Sequence, residues 1–307
     1  MPEQKMGRFR ASYLLAAESF EFLRQDKEML WLPVLSFFAN LAFLVVAIGL
    51  FVVFAFTVTP EFFDSTLGDI VMYLFLFLGY IGLAYIFTYY QGAIATMVHM
   101  RIAGQDPTVK DGLANSRSHK RMIFKWALLA ATVGIILRII DDKLGLAGKI
   151  FSFIGSIAWS LVTFFMVPVL VLDNRGLKDS VVRSGQLFRE TWGEALIMNF
   201  SLSLFIGFLE IVWILLCGVA GFFAISAGSV GLLVLIFVVF LTVFVVVAVV
   251  GSVLSGIFKT VLYEYAASGR VPASFTPQLI MGAIRSKNGV TPPAISMPAQ
   301  TYGDSGT

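Results

Sequence analysis

The stretch that decides the fold class is VGLLVLIFVVFLTVFVVVAVVGSVLSGIF, residues 230–258, which contains no charged side chain. An α-helix rises about 1.5 Å per residue and the hydrocarbon core of a bilayer is roughly 30 Å thick, so about 20 apolar residues suffice to cross it. Residues 230–258 exceed that minimum. We therefore predict that this segment is a transmembrane helix and that the chain is an integral membrane protein.

Five other stretches of the chain have the same apolar character and sufficient length. Several are longer than the minimum, so we expect those helices to tilt or to extend into the headgroup layer. The stretches are residues 30–58, 70–98, 122–140, 150–172 and 195–227. We predict an all-α, polytopic membrane protein with six transmembrane helices arranged as three hairpins.

The overall composition supports the same class of protein. Of 307 residues, 58% are hydrophobic and 13% are charged, whereas soluble domains have about 45–50% apolar and 25% charged residues. The net charge of +3 is too small to indicate a nucleic-acid partner. Because Cys217 is the single cysteine, an intramolecular disulfide and a cysteine-based metal cluster are excluded. We expect no cofactor.

Basic residues predict how the chain is oriented in the membrane. The N-terminal segment, the loop after the second predicted span and the loop after the fourth are rich in Lys and Arg, whereas residues 59–69 contain Glu61, Asp64 and Asp69 without a basic residue. The loop after the third span offers Lys143 and Lys149 against two aspartates. The positive-inside rule therefore predicts a multi-pass protein of the cell membrane with both termini in the cytoplasm.

A polar stretch with apolar residues at helical spacing precedes each odd-numbered span, as is typical of an amphipathic helix. For the second such helix, Asp106 is the predicted N-cap and Pro107 the first helical residue. The three stretches share a serine and an arginine five positions apart: Ser19 with Arg24, Ser116 with Arg121, and Ser184 with Arg189. A second sequence similarity relates two other segments of the chain. Gly92, Thr96, Gly104 and Pro107 have nearly the same spacing as Gly256, Thr260, Gly269 and Pro272.

These patterns favour three related units, each an amphipathic cytoplasmic helix followed by a transmembrane hairpin. The alternative is that any loop entering a membrane helix from the cytoplasm is basic and amphipathic. The domain organisation that follows has three parts: a cytoplasmic amphipathic segment at residues 1–29, a six-helix transmembrane domain at 30–272, and a cytoplasmic tail at 273–307. The tail is rich in Pro, Gly, Ser and Thr, which predicts that it is largely disordered.

Three segments resemble a family of uncharacterised prokaryotic six-span membrane proteins. They are residues 106–138, residues 172–200, and the ending Tyr263-Glu264-Tyr265-Ala266 with Gly269 and Pro272. The middle segment, with Ser184-Gly185-Gln186-Leu187-Phe188-Arg189 leading into Thr191-Trp192-Gly193, is also similar to the membrane domain attached to some glycerophosphodiester phosphodiesterases. We expect no soluble phosphodiesterase domain, so the resemblance implies a fold and no catalytic residue.

Two charged residues within predicted spans are candidates for a functional site. A charge at the bilayer centre costs about 2.5–3.5 kcal/mol on insertion scales, so Arg138 and Glu210 require an explanation. They occupy similar depths in equivalent spans, and a pair between them would suit a gate, a proton site or a substrate contact. The alternative for Arg138, which we prefer, is local pairing with Asp141 or Asp142. For Glu210, a functional role and a structural hydrogen bond both remain open.

Recognisable catalytic chemistry is missing from the sequence. No nucleophile elbow, phosphate-binding loop or dinucleotide fingerprint occurs, and His99 and His119, which we expect to be solvated or interfacial, lack metal-ligand spacing. The leading hypothesis is a non-enzymatic membrane protein that scaffolds or modulates membrane partners or lipids. The alternatives are a transporter or lipid-translocating protein that uses Glu210, and third an intramembrane lipid enzyme.

The partners expected from this hypothesis are anionic lipid headgroups at the cytoplasmic face and a protein of unknown identity. Arginines of the amphipathic stretches are the candidate contacts for anionic lipid. They are Arg24, Arg117, Arg121, Arg183 and Arg189.

Overall fold

A computed structural model describes residues 18–190 and 194–269 of the chain. The helices are α1 (residues 18–25), α2 (Trp31–Thr57, after a 3₁₀ turn at Lys27–Leu30), α3 (Pro60–Phe63), α4 (Thr66–Ile102), α5 (Val109–Ser118), α6 (Lys120–Lys143), α7 (Gly145–Val162), α8 (Met166–Leu172), α9 (Leu177–Glu190), α10 (Glu194–Ser226) and α11 (Val230–Ser268). No strand occurs within these residues, and the prediction of an all-α fold is confirmed for them. The predicted tail at 273–307 and most of the segment at 1–29 lie outside the described residues.

Five helical stretches in the described part are long and apolar enough to cross a membrane. They are Lys27–Thr57, Thr66–Ile102, Lys120–Lys143, Gly145–Leu172 and Val230–Ser268. The fifth predicted span corresponds to α10, Glu194–Ser226, and Glu210–Ser226 is an apolar helical stretch among its described residues. Helix α2 packs on α4, α6 on α7, and α10 on α11, as expected for three hairpins.

Helix ends follow from local chemistry. Helix α5 begins with a capping box, because Thr108 Oγ1 accepts a hydrogen bond from Asp111 N and the Asp111 carboxylate accepts one from Thr108 N. The N-cap predicted at Asp106 is therefore wrong by two residues, since Asp106 is exposed and its carboxylate faces Arg101. A tight connection joins α10 to α11, with Gly228 at φ 63°.

The fourth predicted span is broken into α7 and α8 at residues 163–165. Pro168 lacks an N–H and its ring excludes the carbonyl of the residue four positions earlier, which disfavours a continuous helix through Phe164. The chain instead makes a tighter turn there, with Phe164 N donating to Leu161 O at 3.3 Å. The break places Phe164 beside α11, where it meets Lys259.

The buried residues lie at one end of the helices. They come early in α2 and α6, as with Leu32 and Ile123, and late in α4 and α11, as with Met97 and Val261. Because chain direction alternates between these helices, all of these positions share one end of the bundle, which we name the packed end. Helix α8, with Met166 to Val171 almost wholly buried, belongs to it.

The opposite end, which we name the open end, presents large apolar side chains outward. Phe56 is 87% exposed, Leu146 78% and Val230 72%, at the end of α2 and the starts of α7 and α11. Exposed apolar surface of this extent is unfavourable in water and suits a lipid environment.

Two glycines at the packed end allow close approach of helices. A Cβ on Gly92 would lie 2.9 Å from Val171 Cγ1 and 3.0 Å from Ser116 Oγ, and one on Gly256 would lie 2.9 Å from Ile94 Cγ2. Both glycine carbonyls accept a hydrogen bond from the threonine four residues later, at 2.9 Å for Thr96 and 2.8 Å for Thr260. The sequence similarity between α4 and α11 thus corresponds to the same local geometry at Gly92 and Gly256, which supports a repeat.

Candidate functional site

Charged and polar side chains connect the helices at the packed end through hydrogen bonds and ion pairs. We name this set the ionic cluster; its members are Asp26, His99, Arg101, Asp173, Arg175, Arg183, Tyr263 and Glu264. They come from the junction of α1 and α2, the end of α4, the end of α8 with α9, and the end of α11. Each contact within the cluster joins segments that are distant along the chain or flank a turn.

Arg101 ties the N-terminal helix to the end of α4. Its Nε and Nη2 donate to the two carboxylate oxygens of Asp26, which is buried, and Nη2 also lies 3.2 Å from Asp106 Oδ1. A bidentate guanidinium–carboxylate pair fixes both the distance and the angle between its partners. The guanidinium also stands in the last turn of α4, where the helix dipole favours a positive charge.

His99 and Glu264 connect α4 with α11. His99 Nδ1 lies 2.5 Å from Glu264 Oε1, and Glu264 is only 4% exposed. A buried carboxylate requires a donor or a positive charge beside it, and the imidazole supplies this. The expectation that His99 is solvated or interfacial is therefore incomplete, because its side chain is 40% exposed and engaged with a carboxylate at the same time.

Asp173 connects the end of α8 with α9 and α11. Its Oδ1 accepts a hydrogen bond from the Tyr263 hydroxyl, while Oδ2 lies 3.3 Å from Arg175 Nε and 4.0 Å from Arg183 Nε. Through Asp26, Glu264 and Asp173, the ends of α2, α4, α8 and α11 are held in one arrangement.

Helix α5 lies across the packed end and is held by hydrogen bonds. The Asn115 amide donates to Thr96 Oγ1 at 2.8 Å and to Val171 O at 3.1 Å, and the Tyr89 hydroxyl donates to Leu113 O at 3.2 Å. The serines of the predicted repeat face inward: Ser19, Ser116 and Ser184 are 1%, 0% and 0% exposed. The arginines five positions later, Arg24, Arg121 and Arg189, are exposed.

The structure divides the arginines predicted to contact lipid into two groups. Arg24, Arg117, Arg121 and Arg189 are exposed at the packed end, and Arg24 Nη1 lies 3.3 Å from Glu21 Oε2. Arg183 is partly buried and faces Asp173, so it belongs to the ionic cluster. Lipid contact stays a prediction for all five.

The two predicted intramembrane residues do not meet as an ion pair in the described part of the chain. Arg138 Nε lies 3.9 Å from Asp142 Oδ2, one helical turn ahead, which is the local alternative. Glu210 is partly buried and lines a cavity of about 230 Å³ between α10 and α11, together with Trp213, Leu216 and Phe244.

A second cavity of about 260 Å³ lies between α2, α4 and α11. Polar side chains line it at mid-helix: the Gln91 amide donates to Ser252 Oγ at 2.8 Å, and the Asn40 amide donates to Ser36 O at 2.8 Å. This cavity could not be predicted from the sequence, because Gln91 and Asn40 are single amides within long apolar runs, and the direction in which each amide faces is set only when the helices pack.

Lys259 is a further residue that sequence reasoning missed. It is partly buried on α11, with its ammonium 5.5 Å from the centroid of the Phe164 ring. The sixth predicted span ends at Phe258, one residue before Lys259. The apolar and aromatic residues Val261, Leu262, Tyr263 and Tyr265 that follow it are the signal that would have placed it within the helix.

Within residues 18–190 and 194–269, no group of three or more His, Cys, Asp or Glu side chains is placed to hold a metal ion.

Long apolar helices whose outer surfaces are exposed define a helical membrane protein. The chain belongs to a family of unknown function, DUF6159, which matches residues 66–273. That region extends from α4 beyond α11 and contains the ionic cluster except Asp26. The predicted membership of an uncharacterised family is confirmed, while the likeness to the membrane domain attached to glycerophosphodiester phosphodiesterases stays a prediction. Comparisons with curated proteins and with solved structures gave no significant match.

Proposed function

We propose that the chain is a six-span protein of the cell membrane that organises anionic lipids, and through them membrane partners, without catalysing a reaction. The span that completes six, in addition to the five long apolar helical stretches, is α10, which has 33 residues and is therefore about 50 Å long at 1.5 Å per residue. This exceeds the roughly 30 Å of a hydrocarbon core.

The packed end faces the cytoplasm in this proposal, with both termini on that side. Arg117 of α5, Arg121 of α6 and Arg189 of α9 are exposed at the packed end, whereas Glu61, Asp64 and Asp69 surround α3 at the open end. The positive-inside rule assigns the basic side to the cytoplasm.

The observation that carries the lipid assignment is the adjacency of exposed basic and exposed apolar side chains at the packed end. Phe124 is 51% exposed beside Arg121 and Lys125, and Val182 is 50% exposed on the same face of α9 as Arg189. Apolar groups next to arginine and lysine suit the boundary between acyl chains and headgroups. A basic residue near an anionic membrane surface contributes about 1 kcal/mol.

The test compares two charge-matched double variants of the full chain in nanodiscs that contain phosphatidylglycerol and phosphatidylcholine. Arg117→Gln with Arg121→Gln removes two charges at the packed end, and Lys143→Gln with Lys149→Gln removes two at the open end. Native mass spectrometry counts the anionic lipids that remain bound. We expect the first variant to lose about tenfold or more in phosphatidylglycerol retention, from about 1 kcal/mol per residue, and the second to match wild type. Equal retention by both would contradict the proposal.

A second candidate function is transport or lipid translocation through Glu210, favoured by its place in the cavity between α10 and α11. Intramembrane carboxylates are commonly functional because they are costly in lipid. Glu210→Gln that supports uptake of a candidate solute, or lipid scrambling in vesicles, as well as wild type would remove this candidate. The described residues lining that cavity with Glu210 are apolar or aromatic, which gives no support to an intramembrane lipid enzyme there.

A further inference from the structure

Lys259 carries a positive charge into the bundle at the packed end. It lies one helical turn deeper along α11 than Tyr263, and its ammonium stands over the face of the Phe164 ring at 5.5 Å. Among the residues that the structure describes, no carboxylate lies within 4.0 Å of its Nζ. A cation on an aromatic face is stabilised by the ring, but a partly buried ammonium in an apolar helix also requires an anion or an acceptor.

The seam between α9 and α11, beside Lys259, has an excess of positive charge. Tyr263, four residues from Lys259 and on the same face of α11, donates to Asp173. Asp173 Oδ2 also lies 3.3 Å from Arg175 Nε and 4.0 Å from Arg183 Nε, so one carboxylate faces two guanidinium groups. In addition, Arg183 Nε is shielded from solvent and donates no hydrogen bond in the described part.

We propose that Lys259 and Arg183 bind the phosphate of one anionic membrane lipid at the seam between α9 and α11. This site deepens the proposed lipid-organising function and rests on it, adding one saturable position to the exposed arginines. Ammonium and guanidinium groups are the usual protein donors to phosphate oxygens. The acyl chains lie along the exposed apolar surface beside the seam, where Val162 of α7 is 38% exposed and faces Gly185 of α9.

The chemistry of the site fits a phosphate in general, and its position favours a lipid as the source. Lys259 belongs to the long apolar stretch Val230–Ser268, and the neighbouring surface of α7 is apolar and exposed. A free phosphate ion would leave that apolar surface uncovered, whereas a phospholipid covers it with its chains.

The test titrates the purified full chain in detergent with phosphatidylglycerol, phosphatidylcholine and inorganic phosphate in separate arms, and native mass spectrometry counts what is bound. Wild type is expected to bind one phosphatidylglycerol tightly, at least tenfold more tightly than phosphatidylcholine. Lys259→Met should weaken that binding at least tenfold, and Lys259→Arg should stay within threefold of wild type. Lys143→Met, at an exposed lysine of the open end, is the matched control and should behave as wild type.

Three results would overturn the site: unchanged phosphatidylglycerol binding by Lys259→Met, equal binding of phosphatidylcholine, or inorganic phosphate that binds at the same concentrations and displaces the lipid. The last result would identify free phosphate as the ligand. If Lys259→Met does not fold, as judged by size-exclusion chromatography, Lys259→Gln takes its place and is expected to give the same loss.

The Arg117→Gln and Arg121→Gln variant separates this site from the proposed function. If that variant loses most anionic lipid but keeps one tightly bound molecule, both proposals stand. If it retains all lipid while Lys259→Met loses the single tight molecule, the proposed surface function fails and the Lys259 site stands.

Discussion

His99 and Glu264 are separated by 165 positions in the chain, yet Nδ1 of one lies 2.5 Å from Oε1 of the other. The contact joins the end of α4 to the end of α11 at a carboxylate that is almost fully buried. Removing either partner leaves the other without its main polar contact between these helices, so the pair should contribute to the stability of the packed end.

We predict that Glu264→Ala destabilises the protein by about 1.5–3 kcal/mol, the usual effect of losing a hydrogen bond to a charged group. The measurement is the midpoint of thermal unfolding in detergent, followed by tryptophan fluorescence. The control is Asp142→Ala, which removes the half-exposed pair with Arg138 and should change stability by about 0–1 kcal/mol. Equal shifts for the two variants would contradict the structural role of Glu264.

Arg101→Lys should destabilise the attachment of α1, because a single ammonium cannot reproduce the bidentate contact with Asp26. We expect a loss of about 1–2 kcal/mol, from one charge-assisted hydrogen bond, and faster proteolysis of the N-terminal segment. Arg24→Lys is the matched control, since its pair with Glu21 is exposed and contributes little. Proteolysis at wild-type rate in Arg101→Lys would show that the pair does not hold α1.

We predict that alanine substitution has opposite effects on stability at two glycines of α4, because Gly92 lies close to neighbouring side chains and Gly79 does not. Gly92→Ala would place a methyl group 2.9 Å from Val171 Cγ1, and overpacking of this kind costs about 1–3 kcal/mol. Gly79→Ala meets nothing within 4 Å and should stabilise the helix by up to about 1 kcal/mol. Thermal midpoints that fall for Gly92→Ala and hold or rise for Gly79→Ala would confirm the packing; a fall of the same size in both would contradict it.

The capping box of α5 predicts a pH dependence outside the membrane. Hydrogen bonds from the Thr108 side chain and backbone hold the pKa of Asp111 below its ordinary value of 3.8. Because the folded-state pKa is lowered, the contribution of Asp111 is full above pH 3.8 and is lost as the pH falls through the lower folded-state value. Hydrogen exchange of the α5 amides should therefore accelerate in that acidic range beyond its intrinsic rate. In Asp111→Asn the additional acceleration of exchange should be absent. If the acceleration persisted in that variant, a titratable group other than Asp111 would be its cause.

Part of the site follows from local patterns and part does not. The amphipathic stretches predict that Arg117, Arg121 and Arg189 are exposed, because exposure on a helix depends on residues within a few turns. The same reasoning does not reveal that Arg183 faces Asp173, since that proximity depends on how α8 and α9 meet. The local pairing of Arg138 with Asp142 was accessible from sequence because it spans one helical turn.

Local sequence patterns were enough to predict an all-α membrane protein, the positions of its apolar helices and the similarity between residues of α4 and α11. Hydropathy and helical periodicity act over short stretches, so they can be recognised without knowledge of packing. The pairing of the charged side chains could be seen only in the packed fold. Asp26 with Arg101, Asp173 with Tyr263, and His99 with Glu264 are 75, 90 and 165 positions apart. Their pairing depends on the rotation and the relative height of separate helices, which long apolar surfaces leave nearly undetermined until the helices pack.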